Sequence, residues 1–322
     1  MANYVLMNDT YDTWHHGCRA VSRVIRREMT KRGFNLIATS RVGARWWEDV
    51  SFVEQIQKAD LILINGEGSF HSGGEDAQRC IRVFHDFAHI KPIALINSIW
   101  QDNPSEWTKF LKDASYVSLR DTISQSNLSS QGIDAQFCPD LSLVSSRPTT
   151  SIAKRSGVAW GDALRRQTTR ALYDGFKSAN GEKYFASVRP RFRSPITPRP
   201  IKDFRYQMIC SIKRYTCFND EVELSEFLSS RELYITGRFH GACLSLCART
   251  PFISIASNTQ KITYLLQDLG LNTERVFPDT TQLVAASAEN WGWSKQEQQN
   301  LEESLQNISR QSQKMFDEIC TC

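Results

Sequence analysis

The chain has 322 residues, a formal net charge of +4, 41% hydrophobic and 23% charged residues. This is room for two domains of ordinary size with a globular composition, and the charge is too small for a nucleic-acid binder with a broad basic face. Nine cysteines, an odd number with no Cys-x-x-Cys pair, argue against a disulfide scaffold and against a structural zinc site. Met1 to Met7 is too short and lacks the basic start of a signal peptide, and no apolar run reaches the ~20 residues that span a bilayer. A cytoplasmic protein with reduced thiols is expected.

In chain order, Tyr4–Met7 reads as a first strand, followed by a polar loop from Asn8 to Trp14. Cys18, Val21, Val24, Ile25 and Met29 recur at helical spacing between Gly17 and Arg32, and Gly33 stops that helix. Strands are expected at 34–38, 60–65, 92–97, 116–119 and 135–137, with helices around 53–56 and over 75–89, 107–113 and 122–130. The run 60–65 is apolar throughout, as for a strand buried on both faces. A polar stretch, Ser145–Ser151, then separates a second alternating half: strands at 157–160 and 184–188, helices over 163–178 and 222–228, and an irregular Arg- and Pro-rich segment from Arg189 to Arg205. Leu233–Ile235, Ala242–Ala248 and Pro251–Ile255 form a strand–helix–strand unit. A helix over 262–269 and a long polar helix over 293–319 complete the chain. Alternation of this kind predicts parallel sheets with helices on both faces. The expected architecture is α/β, two Rossmann-like parallel-sheet halves arranged as in glycosyltransferase-B enzymes, with the active site in the interdomain cleft. The expected domains are 1–145 (acceptor side), 152–290 (donor side) and a C-terminal helix, 291–322.

Ligands of open α/β sheets bind at the carboxyl ends of strands, which singles out several loops. Thr236-Gly237-Arg238-Phe239-His240-Gly241 lies between a strand and a helix. The helix N-terminus favours an anion, Arg238 offers a planar cationic fork, and His240 can donate, accept or exchange a proton near neutral pH. The plainer reading is a helix start with a surface Arg and a core His. Asn65-Gly66-Glu67-Gly68-Ser69-Phe70-His71 follows a buried strand. Its glycines allow close backbone approach, and Glu67 is either a general base or a solvated turn residue. No Gly-Lys-Ser/Thr follows, so it is not a P-loop. Asn8, Asp9 and Thr10, with His15 and His16, follow the first strand. The adjacent histidines do not share a helix face and do not chelate together. Asp140, stiffened by Pro139, is a nucleophile, a partner for Arg238 or His240, or a cap. Asp121 reads as a helix N-cap.

These segments also resemble the polysaccharide pyruvyl transferase superfamily. The resemblance rests on Arg238-x-His240-Gly241-Ala242 with Ala248-x-x-Pro251-Phe252-Ile253-x-Ile255 and Lys261, on Gly66-Glu67-Gly68, on Ser118-Leu119-Arg120-Asp121 with Ser124, and on Cys138-Pro139-Asp140. It covers about residues 60 to 270 in order. The start departs from it: the family's Asn-x-Gly-Asp is here Asn8-Asp9-Thr10, then His15-His16-Gly17-Cys18. The resemblance implies a transferase of cell-surface polysaccharide biosynthesis that forms a pyruvate ketal on a sugar from phosphoenolpyruvate. Arg238 would bind the donor's carboxylate or phosphate, with Gly237, Gly241, Arg189, Asn258 and Lys261 around it. His240 would protonate the enol carbon or hold the phosphate. Glu67 or Asp140 would deprotonate an acceptor hydroxyl, with Asn8, Asp9, His16, Gly66, Gly68, Ser69 and His71 lining the acceptor side.

One alternative is a retaining glycosyltransferase using a CMP-activated 2-keto sugar acid such as CMP-Kdo, with Asp140 as nucleophile; a second is a non-catalytic carbohydrate-binding protein. Neither cofactor nor metal is called for. The expected partner is a sugar or lipid-linked oligosaccharide acceptor, met at the inner face of the membrane by peripheral contact. The oligomeric state is left open.

Overall fold

The structure, a computed structural model, describes residues 1–13, 15–145, 154–179, 183–185, 201, 208, 215–216, 218–256 and 260–321. The chain divides into two compact units: Met1–Asp12, Val21–Leu141 and Gln306–Cys322 form the first, and Thr13–Ala20 with Ser142–Leu305 the second. This division differs from the linear one expected, with borders at 145, 152 and 290. A short N-terminal segment is counted with the second unit, and the end of the last helix with the first. No helix among the described residues is long and apolar enough to cross a membrane.

The first unit is built from β1 (Ala2–Asp9), α1 (His16–Lys31, of which the residues from Val21 belong here), β2 (Phe34–Arg41), α2 (Val50–Lys58), β3 (Leu61–Glu67), α3 (Glu75–Phe87), β4 (Ile93–Ser98), α4 (Thr108–Leu111), β5 (Tyr116–Leu119), α5 (Thr122–Ser129) and β6 (Gln136–Phe137). Its six strands pair in parallel in the order β2-β1-β3-β4-β5-β6. Every residue of β3 and β4 is buried, as helices on both faces require. Gly33, at φ 80°, ends α1 in the left-handed conformation that glycine adopts without strain. Asp121 caps α5 by accepting from the Ser124 backbone N–H at 2.7 Å, as its position before the helix predicts.

The second unit contains β7 (Val158–Ala163), α6 (Arg166–Ser178), β8 (Lys183–Phe185), β9 (Tyr215–Thr216), α7 (Glu221–Ser229), β10 (Leu233–Gly237), α8 (Phe239–Cys247), β11 (Phe252–Ile255), α9 (Lys261–Asp268), β12 (Val276–Phe277), α10 (Thr280–Ala286) and the start of α11 (Lys295–Ile319). These strands are also all parallel, in the order β12-β11-β10-β7-β8-β9. Counted from β7, that order is 3-2-1-4-5-6 of dinucleotide-binding folds, whereas the first sheet begins 2-1-3-4-5 as in flavodoxin-like folds. The two parallel α/β halves are those expected.

Three local readings change. β7 runs on to Ala163, so Gly161 and Asp162 belong to the strand rather than to a turn before α6. The helix expected over 107–113 is a 3-10 turn followed by the four residues of α4. The stretch 270–292, which carries no periodic signal, holds β12 and α10, the latter capped by Asp279 through the N–H groups of Thr281 and Gln282. Of the strand expected at 184–188, the described part is Lys183–Phe185.

Candidate functional site

In each sheet the strand order reverses beside the first strand, between β1 and β3 in one and between β7 and β10 in the other. At such a switch point the following helices leave on opposite faces and open a crevice at the strand carboxyl ends. Both switch points carry a polar cluster.

In the first unit the cluster centres on Glu67. Its Oε1 accepts from Thr10 Oγ1 at 2.6 Å and from Asn65 Nδ2 at 3.1 Å, so β1 and β3 are tied across the reversal. Asn8 Nδ2 donates to the Asn65 carbonyl at 2.7 Å and to Ser69 Oγ at 3.2 Å, while Asn97 Nδ2 donates to Asn65 Oδ1 at 3.3 Å. Asn8, Glu67 and Asn97 all have positive φ, of 56°, 43° and 54°. Left-handed backbone is uncommon outside glycine, most of all for a residue such as Glu, and costs of order 1–3 kcal/mol at each such position. Three such residues at the ends of three adjacent strands turn the side chains toward one polar cluster. Gly66 is required by space as well: a Cβ there would lie 2.4 Å from that of Ser98. Gly68 borders the same cluster, its Cβ direction pointing at Arg120 Nη2 from 3.6 Å.

Two expected site residues of this unit take other roles. Asp9 is buried and bound to α1, accepting from Ser22 Oγ at 2.5 Å and Arg26 Nη2 at 2.6 Å. Asp140 is 0% exposed and accepts from Arg120 Nη1 at 2.8 Å. A nucleophile must be reached by its substrate, and an enclosed carboxylate held by an enclosed guanidinium is not. The geometry makes Asp140 the counter-ion of Arg120, which in turn borders Gly68. His71 sits in the loop after β3, bridged to Gln101, and away from the hydrogen bonds of Glu67.

In the second unit β10 ends at Gly237, and Arg238 is the residue before α8. Arg238 donates to Asp162 Oδ2 from Nε at 3.0 Å and from Nη2 at 2.8 Å, across the switch point from the end of β7. Gly237 lets the strands close at this point, since a Cβ would lie 2.4 Å from that of Ala163 and 2.7 Å from Ile255 Cγ2. Gly241 is constrained by Thr236 Oγ1 in the same way. His240 opens α8 beside the segment Thr13–Ala20, which belongs to this unit. The His15 and His240 rings meet edge to face at 5.0 Å, and Cys18 Sγ lies 3.8 Å from His240 Nδ1. Gly17 permits the approach, as a Cβ there would fall 2.1 Å from that of His240. Burial, and then the charges of His240, Arg238, His16 and Lys261, push the His15 imidazole well below its ordinary pKa. Lys261 begins α9, with Nζ 5.8 Å from the Phe239 ring centre.

His16, expected on the acceptor side, is instead buried against Phe218, and it is His15 that faces His240. Asp162 was legible only as a carboxylate near the end of a strand whose last three residues went unread. Cys18 was read as an apolar helix position. Arg189 and Asn258, with Arg191, Arg193, Arg199 and Arg205, lie outside the described residues. A cavity of about 380 Å³ opens at the carboxyl ends of β7, β10 and β11, lined by Ala163, Arg165, Thr168, Gly237, Asp279 and Thr280 among others.

Comparison with known proteins gives one family and one fold shared with several solved structures. The family model described as polysaccharide pyruvyl transferase matches residues 12–259. No curated protein matches the chain. Among solved structures, a functionally uncharacterised protein of Klebsiella pneumoniae is similar with TM-score 0.53 and 11% identity, over 86% of this chain and 92% of its own. A UDP-GlcNAc 2-epimerase of Methanocaldococcus jannaschii, in complex with UDP-GlcNAc and UDP, has TM-score 0.55 and 10% identity over 96% of this chain and 100% of its own. The corresponding enzyme of Neisseria meningitidis, bound to UDP-GlcNAc, has TM-score 0.54 and 9% identity over 98% and 100%. At such identities the likeness is one of fold.

Proposed function

The chain belongs to the polysaccharide pyruvyl transferase family and is a transferase, and from that premise we propose that it forms a pyruvate ketal on a sugar, with phosphoenolpyruvate as donor. The observation that carries this reading is Arg238, held by Asp162 at the switch point of the second unit and at the start of the helix that His240 opens, with Lys261 beside Phe239 of the same turn. Phosphoenolpyruvate bears a carboxylate and a phosphate on adjacent atoms, and a concentrated set of cationic donors at a helix start suits such a dianion or trianion. Asp162 holds the Nε/Nη2 side of Arg238, which leaves Nη1 to turn toward a ligand with little reorganisation.

In the reaction, carbon 3 of the enol takes a proton and carbon 2 takes two sugar oxygens. The bond from carbon 2 to the phosphate oxygen breaks. Of the two hydroxyl protons released, one balances the new methyl group and the other leaves with phosphate. His240 places an imidazole nitrogen at the donor, as the hydrogen-bond donor that steadies the phosphate. In the first unit, Glu67 is the base for an acceptor hydroxyl, oriented by Thr10 and Asn65. The acceptor is a sugar of a cell-surface polysaccharide, and a lipid-linked acceptor would be met from the cytoplasm at the membrane face.

A second reading has a specific support. The cavity beside Gly237 falls in the ~300–1,000 Å³ range of pockets for drug-sized ligands, more than a three-carbon acid fills. A CMP-activated 2-keto sugar acid presents the same carboxylate beside the reacting carbon and would place its nucleotide there. The full-length protein incubated with each donor and a panel of sugar acceptors separates the two. Phosphate release dependent on acceptor supports the ketal reaction, CMP release the glycosyl transfer, and neither product with any acceptor would sink both.

A further inference from the structure

We propose that His15, Cys18 and His240 form a binding site for one thiophilic divalent metal ion of the zinc class. Among the described residues these three are the group of metal-ligating side chains whose ligand atoms all lie within 4.8 Å of one another. Two neutral imidazoles and a thiolate suit zinc, which takes nitrogen and sulfur ligands tetrahedrally. With Zn–N near 2.0–2.1 Å and Zn–S near 2.3 Å, tetrahedral ligand atoms stand about 3.5 Å apart. Cys18 Sγ and His240 Nδ1, at 3.8 Å, are already close to that spacing, and side-chain rotation brings in His15, whose ligand nitrogen lies within 4.8 Å of both.

The surroundings fit an ion rather than a chance meeting of side chains. His15 and Cys18 are three residues apart at the start of α1, so they face the same side of one turn. Gly17 between them lets that turn pack directly on His240. His15 Nδ1 is enclosed by protein and makes no hydrogen bond among the described residues, as for a ligand atom awaiting an electrophile. His15 and Cys18 are only half-buried, so an ion has a way in. The thiolate offsets one of the two metal charges, and Asp162 already neutralises Arg238. The site is a three-ligand one with a fourth position open to water or to an anionic oxygen, the pattern of catalytic rather than structural zinc. The His/Cys pair and its distant third ligand, 222 residues away from Cys18, give no compact sequence signature.

The test uses chelator-treated full-length protein titrated with Zn²⁺ against a chromophoric chelator, and separately with Co²⁺ read by absorption. The expected result is one equivalent per chain, with a thiolate-to-cobalt charge-transfer band and the intense visible bands of four-coordinate cobalt. Cys18→Ser should abolish the charge-transfer band and weaken Zn²⁺ binding by ~100-fold or more, above the 10–100-fold cost of losing a mere supporting residue. His15→Asn should weaken binding comparably. Cys320→Ser, just past the end of the last helix, should bind as the parent does. Thermal unfolding gives a second readout: Zn²⁺ should raise the midpoint of the parent by mass action and leave that of Cys18→Ser unmoved. Substoichiometric binding to the parent, a cobalt spectrum without thiolate character, or unchanged affinity in both Cys18→Ser and His15→Asn overturns the proposal. None of these readouts depends on which donor the enzyme uses.

Discussion

Arg238 places Nε and Nη2 on a single oxygen of Asp162, at 3.0 and 2.8 Å, and so spans the point at which the strand order of the second sheet reverses. The side chains are 17% and 5% exposed. Such a pair fixes the orientation of the guanidinium while leaving its outer edge for a ligand, and it closes β7 on β10.

On the proposed reading Asp162 acts on the donor through Arg238, as a positioning residue. Asp162→Asn should raise KM for the donor about tenfold or more with a smaller fall in kcat, since weakened donor binding appears first in KM. Asp162→Ala should also lower stability by about 3 kcal/mol in urea unfolding, the low end for leaving one partner of a buried pair uncompensated. Arg238→Lys should fail to restore donor binding, because an ammonium cannot hold Asp162 along one edge and a ligand on the other. Parent-like KM in Asp162→Asn would remove Asp162 from the donor site.

Glu67 and Asp140 are both carboxylates of the first unit, and opposite outcomes are expected from them. Glu67→Gln keeps the hydrogen-bonded shape and should lower kcat by ~10²–10⁴ with little change in unfolding midpoint, as for loss of a general base. Asp140→Asn strands the buried Arg120 and should cost ~3–5 kcal/mol of stability. Intact-protein mass spectrometry after incubation with a CMP-activated sugar acid should show no adduct on Asp140. An adduct there would reinstate it as a nucleophile and require the interior to open.

Gly17→Ala puts a methyl group 2.1 Å from His240 Cβ. Overpacking of this kind costs ~1–3 kcal/mol, and here the side chain displaced is the His240 proposed to hold the donor. Donor affinity, measured by calorimetry or by KM, should fall by more than the loss of stability alone would bring. A variant with parent-like affinity would show that the first turn of α1 is not part of that site.

Glu297 gives a pH prediction independent of function. Burial opposes its ionisation, but hydrogen bonds from Arg275 and Ser294 outweigh burial and hold the carboxyl below its ordinary 4.5. Because the folded-state pKa lies below the unfolded one, the stabilisation is complete above the unfolded value and is lost as pH falls through the folded one. Urea midpoints from neutral pH to about pH 3 should drop less steeply in Glu297→Gln than in the parent, although the variant starts lower. Parallel curves would mean that the pair contributes nothing to the acid limb.

The two parallel sheets were legible because buried parallel strands are continuous apolar runs, as at Leu61–Ile64 and Ile93–Ile96, separated by helical spacing. The loops at the strand ends were legible from the position rule, which places Glu67, Arg238 and His240 at the ends of β3 and β10. The rule identifies loops but not pairings. Asp162 became Arg238's partner only because β7 lies beside β10, the two residues being 76 positions apart, which no local pattern encodes. Asp140 was misjudged for the same reason: proline and carboxylate are visible in sequence, while the enclosing Arg120 depends on β5 and β6 pairing. His15 and His16 differ by one position, and only packing against Phe218 decides which of them turns inward.

The membership of Thr13–Ala20 in the second unit has a consequence for how the protein is made. Cys18 and His240 are separated by 222 positions, and at ~5–20 residues per second a ribosome needs about 10–45 s to synthesise the second after the first. Throughout that interval the nascent chain carries a thiol and an imidazole whose counterpart does not yet exist. A fragment beginning at Ser142 would lack both permanently, whatever its own capacity to fold. For the same reason a permuted gene that joins the amino-terminal strand elsewhere must carry His15 to Cys18 along with the later half, or supply them in trans as a peptide.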